Sequence, residues 1–285
     1  MEILAIAILG FYAIGYFVLG GADIGAGMLL PILARTRGER QRVVATIVPY
    51  FLTNEVWLVA AAGVLIGLFP VVEGDLLTGL FPLVCALLVG WVSRDAGVWF
   101  RGRVDGDGRG ARVWRATCDA TICAGSWIVA GAWAWILAGL LAGETDHVVT
   151  DPTVVVAIGA VLSVFALHGL AFVGLRSSGD LRRRSMRWFG SSGERRMFVV
   201  TGAIVAGLVI AAGSNIPLTA AAADRATLDW LVPAILMVTP VLLAAQMWAW
   251  RLFRHRIPSH RIPSGHHSGQ GSSAVRVKPR SDVGP

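Results

Sequence analysis

The sequence predicts an all-α integral membrane protein of about seven transmembrane helices packed as a bundle, with the N-terminus outside and the C-terminus in the cytoplasm. Three observations carry this. Of the 285 residues, 55% are hydrophobic and only 15% charged, whereas soluble domains carry about a quarter charged residues. The apolar residues fall in runs of roughly 20, the length that crosses a bilayer core. Arginines gather in alternate loops, as expected when inner loops carry the positive charge. No alternating β-barrel pattern is present, and helices satisfy their backbone within the segment.

The first span covers 3–33. It is long for a single crossing, and Gly20-Gly21 predicts a bend within it. It opens Met1-Glu2 without a basic leader, so it reads as a retained helix. Arg35, Arg37, Arg40 and Arg42 follow it on the inner side, and the second span runs 54–72. An outer loop with Glu73 and Asp75 leads to the third span, 77–100. Arg103, Arg109, Arg112 and Arg115 lie before the fourth, 117–142. Glu144, Asp146 and Asp151 mark the next outer loop, before the fifth span at 154–175. An arginine-rich inner segment from Arg182 to Arg196 precedes the sixth, 197–216, and Asp224, Arg225 and Asp229 mark the outer side where the seventh, 228–253, begins. A wrong helix count would break this alternation.

Residues 1–256 thus form one membrane domain. Residues 257–285, rich in Pro, Ser, Gly and His and basic in balance, predict a disordered cytoplasmic tail, with a solvated tail favoured over a metal site at its histidines. The net charge of +7 is explained by inner loops facing anionic membrane lipid and calls for no nucleic acid. Cys85, Cys118 and Cys123 lack metal spacing and read as small buried hydrophobes.

Ionisable residues inside spans are costly and default to functional candidates. They are Asp23, Glu55, Arg94, Asp95, Asp119 and His168, with Asn54 and Gln246 as neutral companions. The topology places the charged ones towards the cytoplasmic side, which suggests a polar inlet, for protons among other uses. For Asp119 and Glu55, an interfacial role at a helix end is the competing reading. Arg94 and Arg101 are seven apart, about 10 Å along one helix face, and an arginine of that stripe is expected to pair with Asp23 or Glu55. Two GxxxG patterns, Gly21–Gly25 and Gly139–Gly143, permit close helix contact. The 11 tryptophans read as interfacial or packing residues.

His168 is the single histidine within a span, so the chain by itself lacks two axial histidines for a membrane haem. The only lysine, Lys278, lies in the tail, which excludes a retinal Schiff base. No metal site is expected.

Gly20-Gly21-Ala22-Asp23-Ile24-Gly25-Ala26-Gly27 closing the first span, then Asn54-Glu55-Val56-Trp57-Leu58, Arg94 to Arg101, and Ala166-Leu167-His168-Gly169 resemble subunit II of cytochrome bd-type quinol oxidases. The stretch from Thr227 to Arg254 is similar to that family's last helix. The resemblance implies a heterodimer in the bacterial plasma membrane. Its haem-bearing subunit I would carry haems b and d, oxidise quinol and reduce oxygen to water. This chain would be the haem-free, non-catalytic partner, stabilising subunit I and helping to form proton or oxygen paths, in some members with a structural quinone. On this reading Asp23, Asn54, Glu55, Arg94, Asp95, Arg101, Asp119 and His168 form the polar path, and Gly21, Gly25, Gly27 and Trp57 form packing surfaces.

The chain departs from the family pattern in three ways. The family usually carries two more helices, between spans five and seven. Phe51-Leu52-Thr53 stands where Trp-Asp-Gly is common, so Leu52 replaces a carboxylate implicated in proton entry. Trp99 stands where an acid is usual, while Asp95 introduces one nearby. A small proton-coupled transporter or channel, and a non-catalytic assembly scaffold, remain the alternative functions.

Overall fold

The computed structural model describes residues 1–106, 108–190 and 192–253. The tail predicted from 257 onwards lies outside the described residues. Seven helices among them are long and apolar enough to cross a membrane, and no strand is formed in the described residues.

Helix α1 spans Glu2–Met28 without interruption. At Gly20-Gly21, where the sequence predicts a bend, the helix is not broken, and both glycines are buried inside the bundle. The break comes at Leu29, ahead of a short α2, Leu30–Leu33. Pro31 is the physical reason, since it has no N–H to donate back to the preceding turn and its ring clashes there. The break leaves the Met28 carbonyl without its helical donor, and the Trp127 indole takes that place at 3.1 Å.

Helix α3, Arg37–Ile47, is polar and lies outside the spans. Thr36 and Glu39 close its start as a capping box, a Thr-x-x-Glu signature visible in the sequence. Helix α4 is Phe51–Leu68, and a separate α5, Pro70–Gly79, takes up residues assigned above to a span end and a loop. Proline at the first turn of α5, and again of α6 at Phe81–Phe100, supplies a favourable helix start.

Helix α7 runs Arg109–Leu141, eight residues earlier than hydropathy predicts. At 33 residues it is about 50 Å long, well beyond a hydrocarbon core of about 30 Å. Its arginine-rich first turns therefore project past the apolar layer. Helices α8 (Pro152–Arg176), α9 (Gly179–Met186), α10 (Glu194–Gly213) and α11 (Arg225–Leu252) follow among the described residues.

Helix α1 lies in the middle of the bundle, packed on α4, α7, α8 and α10, with α6 against α7 and α11 against α4. Glycines set how closely these helices approach. A Cβ on Gly25 would collide with the backbone of Phe165 and Gly169 on α8, and one on Gly169 would collide with Gly25 and Ala26. Gly21 faces the Phe165 ring and Gly27 faces Ser126. The second GxxxG pattern forms no such contact. Gly139 has only a distant neighbour, and Gly143 lies past the end of α7 with φ of +89°, a left-handed helix terminus suited to glycine.

Candidate functional site

Asp23 lies near the end of α1, Asn54 and Glu55 in the first turns of α4, and Arg94 and Asp95 towards the end of α6. Close packing of α6 on α7 positions the arginine, because Gly125 of α7 lies against the Gly90 carbonyl and the Arg94 backbone. A larger residue at 125 would push α6, and its guanidinium, away.

The Arg94 guanidinium donates to Asp23 Oδ1 at 2.7 Å and to Asp95 Oδ1 at 3.0 Å, and lies 3.5 Å from Glu55 Oε1. One cation thus faces three carboxylates. A lone charge removed from water costs several kcal/mol, which is offset only by close partners and further hydrogen bonds. Asp23 has such support: Asn54 Nδ2 donates to its Oδ2 at 3.1 Å and to the Leu19 carbonyl at 3.0 Å. Asn54 Oδ1 in turn accepts from Gln246 Nε2, whose own Oε1 accepts from the Trp57 indole, both at 3.1 Å. A continuous polar chain therefore runs from α6 through α1 and α4 to α11.

Exposure falls along the acids. The Asp95 side chain is 24% exposed, Glu55 15% and Asp23 2%. Glu55 Oε1 is buried and accepts no hydrogen bond. A small cavity touches Tyr16, Asp23, Asn54, Glu55, Trp91 and Arg94, with room for about one water molecule.

The remaining sequence candidates separate from this cluster. Arg101 pairs with Asp119 instead of Asp23 or Glu55, its Nε lying 2.5 Å from Oδ1 and both residues buried. The α6–α7 hairpin brings those two together as a buried ion pair. His168 sits between α1 and α10, in contact with the Val18 carbonyl and Thr201 Oγ1, each at 2.8 Å. A carbonyl requires an N–H, so Nε2 carries a proton, while the Thr201 hydroxyl beside Nδ1 also donates to the Met197 carbonyl at 2.8 Å. Both ring nitrogens are thereby engaged. Leu52 and Trp99 are exposed on the outside of the bundle.

Three participants were not among the sequence candidates. Tyr16 lines the cavity, accepting from the Trp133 indole at 3.0 Å. It precedes Asp23 by seven residues, and that two-turn spacing on one face was the available signal. Trp91 lines the same cavity. The third is Arg184 of α9, which grips Glu39 of α3 through both carboxylate oxygens at 2.7 and 3.1 Å, and also contacts the Leu33 carbonyl. The guanidinium holds the Glu39 carboxyl well below its ordinary value, at about 2, against the opposing effect of burial.

The sequence model of cytochrome bd terminal oxidase subunit II matches residues 1–217. The chain belongs to that subunit II family. Among relatives, the cytochrome bd ubiquinol oxidase subunit 2 of Bacillus subtilis (strain 168) is 30% identical over 184 residues, 61% of this chain and 53% of that protein. A probable cytochrome oxidase subunit 2 of Haemophilus influenzae is 26% identical over 186 residues, 60% of this chain and 48% of the relative. The cytochrome bd-I ubiquinol oxidase subunit 2 of Escherichia coli (strain K12) is 30% identical over 121 residues, 42% and 31% respectively. The chain spans about half the length of the first two relatives. Within the subunit II match lie the whole Asp23–Asn54–Glu55–Arg94–Asp95 cluster, Arg101–Asp119 and His168; α11, with Gln246, follows after its end.

Proposed function

We propose that this chain is the haem-free subunit II of a quinol:oxygen oxidoreductase in a bacterial plasma membrane. It supports a haem-bearing subunit I and supplies a cytoplasmic proton inlet. The inward fall in exposure from Asp95 through Glu55 to Asp23, around the single Arg94 cation, carries this reading. A proton reaching the rim meets Asp95 and Glu55 first. Glu55 Oε1, with no hydrogen bond to lose, is the oxygen best placed to accept it. Arg94 stays charged and holds the three acids together, so a proton gained by one is felt by the others through a few ångströms of low-dielectric interior.

Support for the haem-free role comes from His168, whose ring nitrogens are both engaged within the bundle and whose span-embedded position is not repeated by another histidine. Haems b and d would reside in subunit I. A structural quinone does not fit the cavity beside Asp23, which has room for about one water, and no step is assigned to it. The arginine-rich loops support an orientation with the end bearing Arg35 to Arg42 in the cytoplasm.

The test is Glu55→Gln and Asp95→Asn in the complex with its haem-bearing partner, reconstituted in liposomes. Proton uptake accompanying quinol oxidation is expected to slow while the haem spectrum and assembly yield stay normal. Unchanged uptake at normal assembly would refute the inlet and leave an assembly scaffold. Proton flux through the isolated chain, without quinol, would point instead to a transporter.

A further inference from the structure

Three buried polar atoms beside the Asp23–Arg94 pair make no hydrogen bond among the described residues: Glu55 Oε1, the Trp91 indole nitrogen and Arg94 Nε. They belong to two helices, α4 and α6, and all three residues line the small cavity that also touches Asp23. A buried donor or acceptor without a partner is costly, and each one in a folded protein calls for an explanation. Two N–H donors and one acceptor on the same cavity call for a shared one.

The other donors of the cluster are committed elsewhere. Arg94 Nη2 donates to Asp23 and Nη1 to Asp95, so Glu55 Oε1, 3.5 Å from Nη1, receives no direct bond. The Asn54 amide donates to Asp23 and to the Leu19 carbonyl. Trp91 precedes Arg94 by three residues and Asp95 by four, which places all three on one face of α6. Its indole faces the carboxyls of Glu55 and Asp95 without the geometry of a direct hydrogen bond to either. Polar groups held just beyond direct contact are those that a water bridges. The cavity has room for about one water and offers the two to four polar partners that a buried water requires.

We propose that this cavity binds one fixed water, positioned by the Trp91 indole, and that this water passes a proton from Glu55 to Asp23. The step rests on the proton inlet proposed above and adds Trp91 to it as a positioning residue. The water accepts from the N–H groups of Trp91 and Arg94, and donates to Glu55 Oε1 and to a carboxylate oxygen of Asp23. When Glu55 carries the proton, its O–H bond breaks towards the water oxygen while one of the water's own O–H bonds breaks towards Asp23. One O–H bond is lost on Glu55, one is formed on Asp23, and the water is restored. Trp91 and Arg94 keep their protons throughout, because indole and guanidinium act only as donors.

The test uses the complex with its haem-bearing partner. Cryo-electron microscopy of the unaltered complex, at a resolution that shows ordered water, is expected to place one density peak within hydrogen-bond reach of Glu55 Oε1 and the Trp91 indole nitrogen. Trp91→Phe keeps the packing of the ring and removes the N–H. In liposomes it is expected to slow the proton uptake that accompanies quinol oxidation about fivefold, the order of one lost hydrogen bond, with the haem spectrum unchanged. Trp127→Phe, which removes an indole donor outside the cavity, is expected to leave uptake unchanged. Absence of the peak from the unaltered complex overturns the proposal, even where a variant fails to assemble. Equal slowing in the two tryptophan variants overturns it as well. If Glu55→Gln slows uptake and Trp91→Phe does not, the inlet stands and the water relay falls. If neither slows it, both fall together.

Discussion

The Arg94 guanidinium of α6 donates to the Asp23 carboxylate of α1 at 2.7 Å, joining side chains 71 residues apart that are both almost fully buried. That contact explains why α1, although apolar over most of its length, tolerates an acid near its end. Neither residue would be stable there alone. The same arginine reaches Asp95 and Glu55, so its loss strands three acids, whereas loss of Asp23 leaves it two partners.

Arg94→Met is therefore expected to destabilise the chain more than Asp23→Asn. Breaking one side of a buried pair costs about 3–5 kcal/mol, and Arg94→Met should reach that range while Asp23→Asn falls below it. Thermal unfolding of the detergent-solubilised complex checks the order, and equal effects would show that Asp95 and Glu55 draw nothing from Arg94.

Gln246→Leu should leave two buried groups without partners, the Trp57 indole N–H and Asn54 Oδ1. Each orphan costs about 1–3 kcal/mol. Trp57→Phe removes one of these groups outright and should cost less. In the double variant only the Asn54 orphan remains, so the combined loss should be smaller than the sum of the two single losses. Additive losses would contradict the connected chain.

Gly25→Val is expected to prevent folding, because its side chain would enter the backbone of Phe165 and Gly169. Gly139→Ala is expected to be neutral or to stabilise by about 0.5 kcal/mol, since that glycine meets no close neighbour and alanine is the better helix former. Yield of folded protein on size-exclusion chromatography distinguishes the two.

The Glu39–Arg184 contact joins α3 to α9 and makes the stability of that end depend on pH. The Glu39 carboxyl is lowered from an ordinary 4.5 to about 2 by its hydrogen bonds to Arg184. A folded-state value below the unfolded one stabilises fully above the unfolded value, and that stabilisation is lost as pH falls from about 4.5 towards about 2. Thermal stability followed between pH 7 and pH 3 should decline, and Glu39→Gln should flatten that part of the decline.

The sequence alone determined that this is a seven-span helical bundle among the described residues, because span length and apolar contiguity are local properties imposed by the thickness of a bilayer. It also marked Asp23, Asn54, Glu55 and Arg94 as exceptional, since a polar side chain in such a run is visible without knowing its partner. The partners were decided by tertiary structure. Arg101 shares a helix stripe with Arg94, yet the α6–α7 hairpin gives it Asp119, while glycine-mediated approach gives Arg94 to the α1–α4 acids. Helix ends followed the same division: α7 continues two turns past its apolar run because arginines extend a helix as well as leucines do, which hydropathy cannot register. Gly139 and Gly143 repeat the spacing of Gly21 and Gly25, but only the first pair meets a facing helix. Spacing is written in the chain, and the neighbour it meets depends on how the helices are arranged in three dimensions.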